Sequence, residues 1–149
     1  MSTPSPAELL ALVAAARRVA RFMESRDDAD LAGTFATTGV VIVENFAPFV
    51  FEGPGAVQRW AAGFRAHVAG VDGLRHGFDE PFEAVLGGDR AYLSLPTTWT
   101  GVERGRAFTE RGGWAFVLAR EEEAWRVAGY GWAPTTRIDA GVSPAPGLS

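Results

Sequence analysis

The feature that most restricts this chain is its second half, from Leu74 to Trp132, which reads as one long antiparallel meander. Gly87-Gly88-Asp89 makes a tight turn into the alternating run Arg90-Ala91-Tyr92-Leu93-Ser94-Leu95. Gly101 to Gly105 turns the chain into a second strand, Arg106 to Ala119, and Glu121-Glu122-Glu123 turns it again into Trp125 to Trp132. Strands this long, joined by short turns and preceded by helical segments, predict an α+β fold in which a curved sheet wraps a helical layer. A sheet of that shape encloses a cavity, and a cavity is where a function would sit.

The N-terminal half supplies the helices. Ser5-Pro6-Ala7-Glu8 is a helix start, with a capping serine, proline at the first helical position and a glutamate returning to the cap. Leu9, Leu12, Val13, Ala16, Ala20 and Met23 keep a helical spacing to about Arg26. Asp28 can cap a short second helix with Leu31 and Phe35 on one face, ended by Gly39. Val40 to Phe46 is a strand by its β-branched content, which Pro48 bends or places at an edge, with Phe49 to Glu52 extended beyond it. Gly53-Pro54 opens a third helix that buries Val57, Trp60, Ala61, Phe64 and Val68 on one side. From Pro134 the composition turns to Pro, Gly, Ser and Thr, so residues 1–136 are expected to form one domain and residues 137–149 a loose, dispensable tail.

Composition excludes several chemistries. There is no cysteine, which removes disulfides, thiolate nucleophiles and cysteine-zinc sites. All 14 basic residues are arginine, so lysine Schiff bases and a Walker-type phosphate loop are also excluded. A net charge of −4 without a dominant basic face argues against a nucleic-acid partner. The apolar run Leu9 to Ala16 follows Glu8 and precedes its arginines, the wrong polarity for a secretory signal, and it is too short to span a bilayer. The expectation is a soluble cytoplasmic protein without a membrane partner. His67 and His76 lie apart without metal-ligand spacing, so no metal or other cofactor is expected.

Within Val40-Val41-Ile42-Val43-Glu44-Asn45-Phe46, Glu44 interrupts an apolar strand beside Ile42 and Phe46 on one face. If that face is internal, its carboxylate loses hydration and its pKa rises, which suits abstraction of a proton next to a carbonyl. His67 sits at the border of the buried stripe of the third helix, placed either as a spacer or as a proton-transfer group. His76 belongs either to a pocket rim with Asp79 and Glu80 or to a solvated start of the sheet. Leu95, Thr97 and Trp99 share one strand face, as do Phe108, Glu110, Trp114 and Phe116 if Gly112-Gly113 adds no bulge. Asn45, Phe46, Trp60, Phe64, Thr97, Trp99, Glu110 and Trp114 form the expected ligand-binding set. Gly129 and Gly131 around Tyr130 clear one face of the last strand, either for a ligand or for close sheet contact.

The order of these pieces resembles the nuclear transport factor 2-like superfamily, in its SnoaL-like and ketosteroid isomerase-like branch. The resemblance rests on the Val40–Phe46 strand, Phe51-Glu52-Gly53-Pro54-Gly55-Ala56 leading to Trp60, Gly88-Asp89-Arg90-Ala91-Tyr92, and Trp125-Arg126-Val127 through Trp132. It implies a cone-shaped barrel with a deep pocket and a homodimer. It also implies a general base at about Glu44, with a slip of one residue that lets Asn45 compete for the position. The isomerase's oxyanion tyrosine would fall near Val19 to Met23 and its protonated aspartate near Arg111 to Gly113, and neither is present, although Glu110 is close. Two functional readings remain. One is a small-molecule-binding domain with isomerase, cyclase or dehydratase-type acid–base turnover of a hydrophobic carbonyl or hydroxyl compound. The alternative is a non-catalytic dimerisation or binding module.

Overall fold

The computed structural model describes residues 1–140. Helix α1 spans Pro6–Ser25 and begins as its sequence dictates: the Ser5 hydroxyl accepts from the Glu8 N–H, and the Glu8 carboxylate accepts from the Ser5 N–H. It buries Leu12, Ala16, Val19, Ala20 and Phe22 against the sheet. Arg26, with φ of 59°, ends it. Helix α2 spans Ala56–His67 and buries Trp60, Ala61 and Phe64. The expected second helix is reduced to one 3₁₀ turn, Asp28–Leu31, capped by Asp27 rather than Asp28. Two helices, not three, therefore cover the sheet.

Among the described residues seven strands form that sheet: β1 (Val41–Val43), β2 (Val50–Phe51), β3 (Val71–Phe78), β4 (Glu83–Gly87), β5 (Arg90–Glu103), β6 (Arg106–Glu121) and β7 (Ala124–Asp139). Their order is β2-β1-β7-β6-β5-β3, with β4 pairing the other end of β5. The three long strands are the expected meander. The sheet is mixed rather than wholly antiparallel, because β1 runs parallel to β7, pairing Val41, Ile42 and Val43 with Gly129, Tyr130 and Gly131. After the bend at Pro48 the chain is extended again, as expected for Phe49 to Glu52, and folds back so that β2 pairs antiparallel with β1.

Strand alternation decides what faces inward. Leu93, Leu95, Thr97 and Trp99 are all buried, and β6 presents Phe108, Trp114, Phe116 and Leu118 to the same side. The β5–β6 register runs unbroken across Gly112-Gly113; the irregularity falls instead in the β6–β7 pairing, where Arg111 opposes Thr136 and Gly112 opposes Pro134. The expected tail also needs correction. Strand β7 continues past Thr136 to Asp139, pairing Arg137 with Glu110, so residues 137–139 belong to the domain. Residues 141–149 of that tail lie outside the described residues. Among the described residues no helix is long and apolar enough to cross a membrane.

Gly129 now has a physical reason. A β-carbon there would sit 2.5 Å from the Val41 carbonyl oxygen, whereas at Gly131 the nearest atom would be Val43 Cβ at 3.9 Å. The glycine clears space for β1, not for a ligand. Gly129→Ala is expected to push β1 off β7 at an overpacking cost of about 1–3 kcal/mol, lowering the melting temperature by roughly 3–10 °C. Gly131→Ala should leave it unchanged or slightly raised. Equal melts for the two variants would contradict this account.

Candidate active site

Strand β1 ends at Val43, and the chain then turns tightly: the Glu44 N–H donates to the Phe49 carbonyl and the Phe49 N–H to the Phe46 carbonyl, both at 2.9 Å. Ile42, Glu44 and Phe46 keep the inward alternation through this turn, and all three are buried. Glu44 thereby enters the wall of a cavity of about 300 Å³ between the helices and the open end of the sheet. Phe46, Phe64, Trp99, Phe108, Trp114 and Trp132 give it an aromatic lining, and Asn45, His67, Glu103, Glu110 and Arg137 supply its other polar groups.

Two side chains hold the Glu44 carboxylate. The Tyr130 hydroxyl donates to Oε2 at 2.5 Å, and the Trp60 indole N–H donates to the same oxygen at 3.2 Å. Burial pushes the Glu44 pKa up from its ordinary value; the Tyr130, Trp60 and Asn45 backbone donors pull it partly back, and the charge of Glu110 adds to the rise. Tyr130 is fully buried, and that burial, with the carboxylate beside it, lifts the phenol well above its ordinary value of 10. The tyrosine is therefore a fixed donor. Strand β7 carries it inward because Tyr130 and Trp132 lie opposite Phe116 and Trp114 on the inner face.

The mouth of the cavity is ionic. Arg137 donates to Glu103 at 2.6 Å and to Asp139 at 3.1 Å, lies 3.9 Å from Glu110, and stacks its guanidinium over Phe108 at 4.4 Å. Burial raises the Glu110 pKa and Glu103 adds to the rise, while Arg137 and Trp132 oppose it. His67 stacks on Phe46 with ring centroids 4.8 Å apart. Burial lowers its pKa, partly offset by Glu103, so the imidazole tends toward its neutral form.

Of the residues the sequence singled out, Glu44, Asn45, Phe46, Phe64, His67, Trp99, Glu110 and Trp114 all stand on this one wall. Two do not. Trp60 stands behind Glu44, fully buried, and reaches the site only through its indole N–H. Thr97 is buried with its hydroxyl spent on the Leu95 carbonyl of its own strand, at 3.0 Å. Sequence reasoning missed Tyr130 and Arg137. Tyr130 shares the strand alternation of Trp132, but its flanking glycines drew attention to empty space; Arg137 fell in the segment read as tail.

His76 is not at a solvated start of the sheet. Carried on β3, its ring is largely buried against α1. Nδ1 and the backbone N–H both contact Glu24 Oε2 at 2.8 Å, and Nε2 contacts an Arg17 guanidinium nitrogen at 2.8 Å. Arginine only donates, so Nε2 accepts and Nδ1 carries the proton toward Glu24. His76 is not in the cavity wall, but it packs on Trp99, which is. Among the described residues no group of three or more His, Asp and Glu is gathered to hold a metal ion.

No family model matches the chain, and no curated protein matches it in sequence. Solved structures do match. The crystal structure of LinA superposes with a TM-score of 0.76 at 12% identity, covering 94% of this chain and 95% of that one. A type 2 hexachlorocyclohexane dehydrochlorinase (LinA) gives 0.75 at 12% identity, with 95% of both chains covered. Aln2 from a Streptomyces species gives 0.70 at 20% identity, covering 88% and 93% respectively. At such identities the likeness is one of fold.

Proposed function

We propose, taking as premise that this chain has the nuclear transport factor 2-like fold, that it is an acid–base enzyme. Its substrate is a small hydrophobic carbonyl or hydroxyl compound, and its reaction is of the isomerase, cyclase or dehydratase type. One observation carries the reading: a buried carboxylate, held by two donors, stands in the wall of a cavity that combines aromatic rings with a few polar groups. Both donors grip Oε2, which leaves Oε1 the less engaged oxygen for a substrate proton. Burial brings the Glu44 pKa toward the working range of a general base, and the rings exclude water that would otherwise solvate the carboxylate. Phe46, Phe64 and Trp99 would grip the apolar body of the substrate; Asn45, His67 and Glu110 would meet polar groups it carries away from the reacting carbonyl. One structural neighbour is named for dehydrochlorination of hexachlorocyclohexane, and loss of HCl from a carbon skeleton is also a proton removal.

The test follows proton movement directly. Cyclohexanone incubated with the protein in deuterium oxide should exchange its α-hydrogens faster than in buffer, read by proton NMR, and Glu44→Gln should lose the acceleration. Exchange at the buffer rate, with cyclohexanone nevertheless bound, would leave a binding module in place of an enzyme.

A second reading has its own observation. Glu24 and His76 form a carboxylate-oriented imidazole, a composition suited to general-base work. Arg17 occupies the nitrogen that would take the proton, so the pair is ready only once that arginine moves. Survival of exchange in Glu44→Gln together with its loss in His76→Gln would favour this pair.

The same fold supports a homodimer through the outer face of the sheet. Register places Val41, Gly129, Val117 and Tyr92 in one row across β1, β7, β6 and β5, with Val41, Val117 and Tyr92 exposed, and Val43 and Val50 beside them are exposed too. Continuous apolar area of this kind is uncommon on a solvated face. Light scattering should give twice the 15.9 kDa chain mass; the single-chain mass across micromolar dilution would overturn it.

A further inference from the structure

The sequence lacks the oxyanion donors of the isomerase pattern, yet the cavity wall contains a donor with nothing to donate to. Trp114 is 1% exposed and lines the cavity. Among the described residues its indole N–H has no hydrogen-bond partner. Buried indole N–H groups usually find one, and an unmet buried donor costs about 1–3 kcal/mol. Trp60, equally buried, satisfies its own N–H on Glu44. What surrounds Trp114 is aromatic: Trp99, Phe116, Tyr130, Trp132 and Phe78 all lie with ring centroids 4.8–6.1 Å away. Ring faces are weak acceptors at best.

We propose that the Trp114 indole N–H is the donor that binds the substrate's oxygen and stabilises the enolate formed when Glu44 removes a proton. The inference rests on the acid–base reading and names the second half of its machinery. An indole N–H can only donate, so its partner must be an acceptor, either a carbonyl oxygen or the oxyanion derived from it. The position suits the pairing. Trp114 packs edgewise on Tyr130 with centroids 5.5 Å apart, and the Tyr130 hydroxyl is 2.5 Å from the Glu44 carboxylate, so one ring separates donor from base. The Trp114 nitrogen is itself covered, so admitting an oxygen requires a neighbouring ring to move, and of the rings packed on Trp114 only Trp132 and Phe78 are partly buried rather than buried.

The step balances without a further reactant. Glu44 takes a proton from the carbon beside the carbonyl; the C–H electron pair becomes the C=C bond of the enolate, and the carbonyl π pair moves onto oxygen, where the Trp114 N–H meets it. Return of the proton from Glu44 to a carbon of the enolate restores the carbonyl and the carboxylate. Donors aimed at developing charge in a water-excluded site contribute more to rate than to ground-state affinity.

The experiment uses cyclohexanone and methylenecyclohexane, which share a shape and differ in the oxygen. In wild-type protein labelled with ¹⁵N-tryptophan, cyclohexanone should shift one indole N–H downfield, and methylenecyclohexane should not. The resonance is assigned to Trp114 through Phe substitutions at Trp60, Trp99, Trp125 and Trp132, so the measurement stands even where W114F does not fold. W114F should weaken cyclohexanone binding several-fold, leave methylenecyclohexane within about twofold, and slow α-exchange by about a hundredfold. Equal weakening for both ligands, or an unmoved Trp114 resonance on cyclohexanone binding, overturns the inference and leaves Trp114 a packing residue. Should that happen while exchange still depends on Glu44, the acid–base reading survives alone. Should neither ligand bind, both fall together.

Discussion

Trp60→Ala is expected to lower the melting temperature by roughly 10–15 °C. The indole is fully buried where α2 meets the inner face of the sheet. It packs against Phe22 of α1 and Phe35, both at 5.3 Å between centroids, Phe64 one helical turn on, and Tyr130 of β7 at 5.9 Å. Removing it joins four rings in one void, and tryptophan-to-alanine changes in cores cost about 3–5 kcal/mol. A domain's whole stability is only about 5–15 kcal/mol, so a large share is lost. The void is not the only cost, because the Glu44 carboxylate also loses one of its two side-chain donors. Trp60→Phe separates the contributions: it refills most of the void and removes only the N–H, so it should melt between wild type and Trp60→Ala. A fall of only two or three degrees in Trp60→Ala would mean that the helix does not anchor the core in this way.

The fold was legible wherever the determinants were local. Turn residues and two-residue alternation announced β5, β6 and β7; the unbroken β5–β6 register simply extends Leu95, Thr97 and Trp99 opposite Trp114, Gly112 and Glu110. The first helix announced itself through Ser5, Pro6 and Glu8. What escaped was non-local. Nothing near Val41 signals that it will lie parallel to Gly129, far along the chain, and only that partner explains why the glycine is there. The second helix shortened because its single turn ends at Leu31 and Phe35 bridges to Val127 of the last strand instead. In the site, Glu44 was legible because Ile42 and Phe46 fix its face. Its partners were not: Tyr130 comes from the far end of the chain, and its hydroxyl reaches Glu44 only after β1 docks on β7. Arg137 escaped because composition rich in Pro and Thr reads as tail, while its pairing with Glu110 depends on β6.

Glu44→Gln is expected to lower turnover by about a hundred- to ten-thousandfold while leaving the fold intact. Glutamine keeps an oxygen for Tyr130 and Trp60 to bond, so what disappears is the ability to accept a proton. The pH profile gives the stricter check. The Glu44 pKa is raised in the folded protein above its ordinary 4.5, chiefly by burial. Below 4.5 the carboxyl is protonated in both states, and its contribution to stability is fully present. As pH rises, the unfolded chain releases the proton first, so stability declines until the folded pKa is passed and is constant above it. Wild type should thus lose stability with rising pH over a window that begins near 4.5, and Glu44→Gln should lose less. Some decline should persist in the variant, because Glu110 is raised by the same cause and acts with the same sign. His67 acts with the opposite sign: its pKa is lowered from 6.5, so its contribution is gained as pH rises through that region. The difference between wild type and Glu44→Gln cancels both to first order and isolates the one carboxylate. Catalysis should move the other way, rising with pH as Glu44 ionises into the base form. Tyr130→Phe, which removes a donor that favours the anion, should shift that rise to higher pH. A stability difference between wild type and Glu44→Gln that does not vary with pH, joined to unimpaired turnover in the variant, would take the base role away from Glu44.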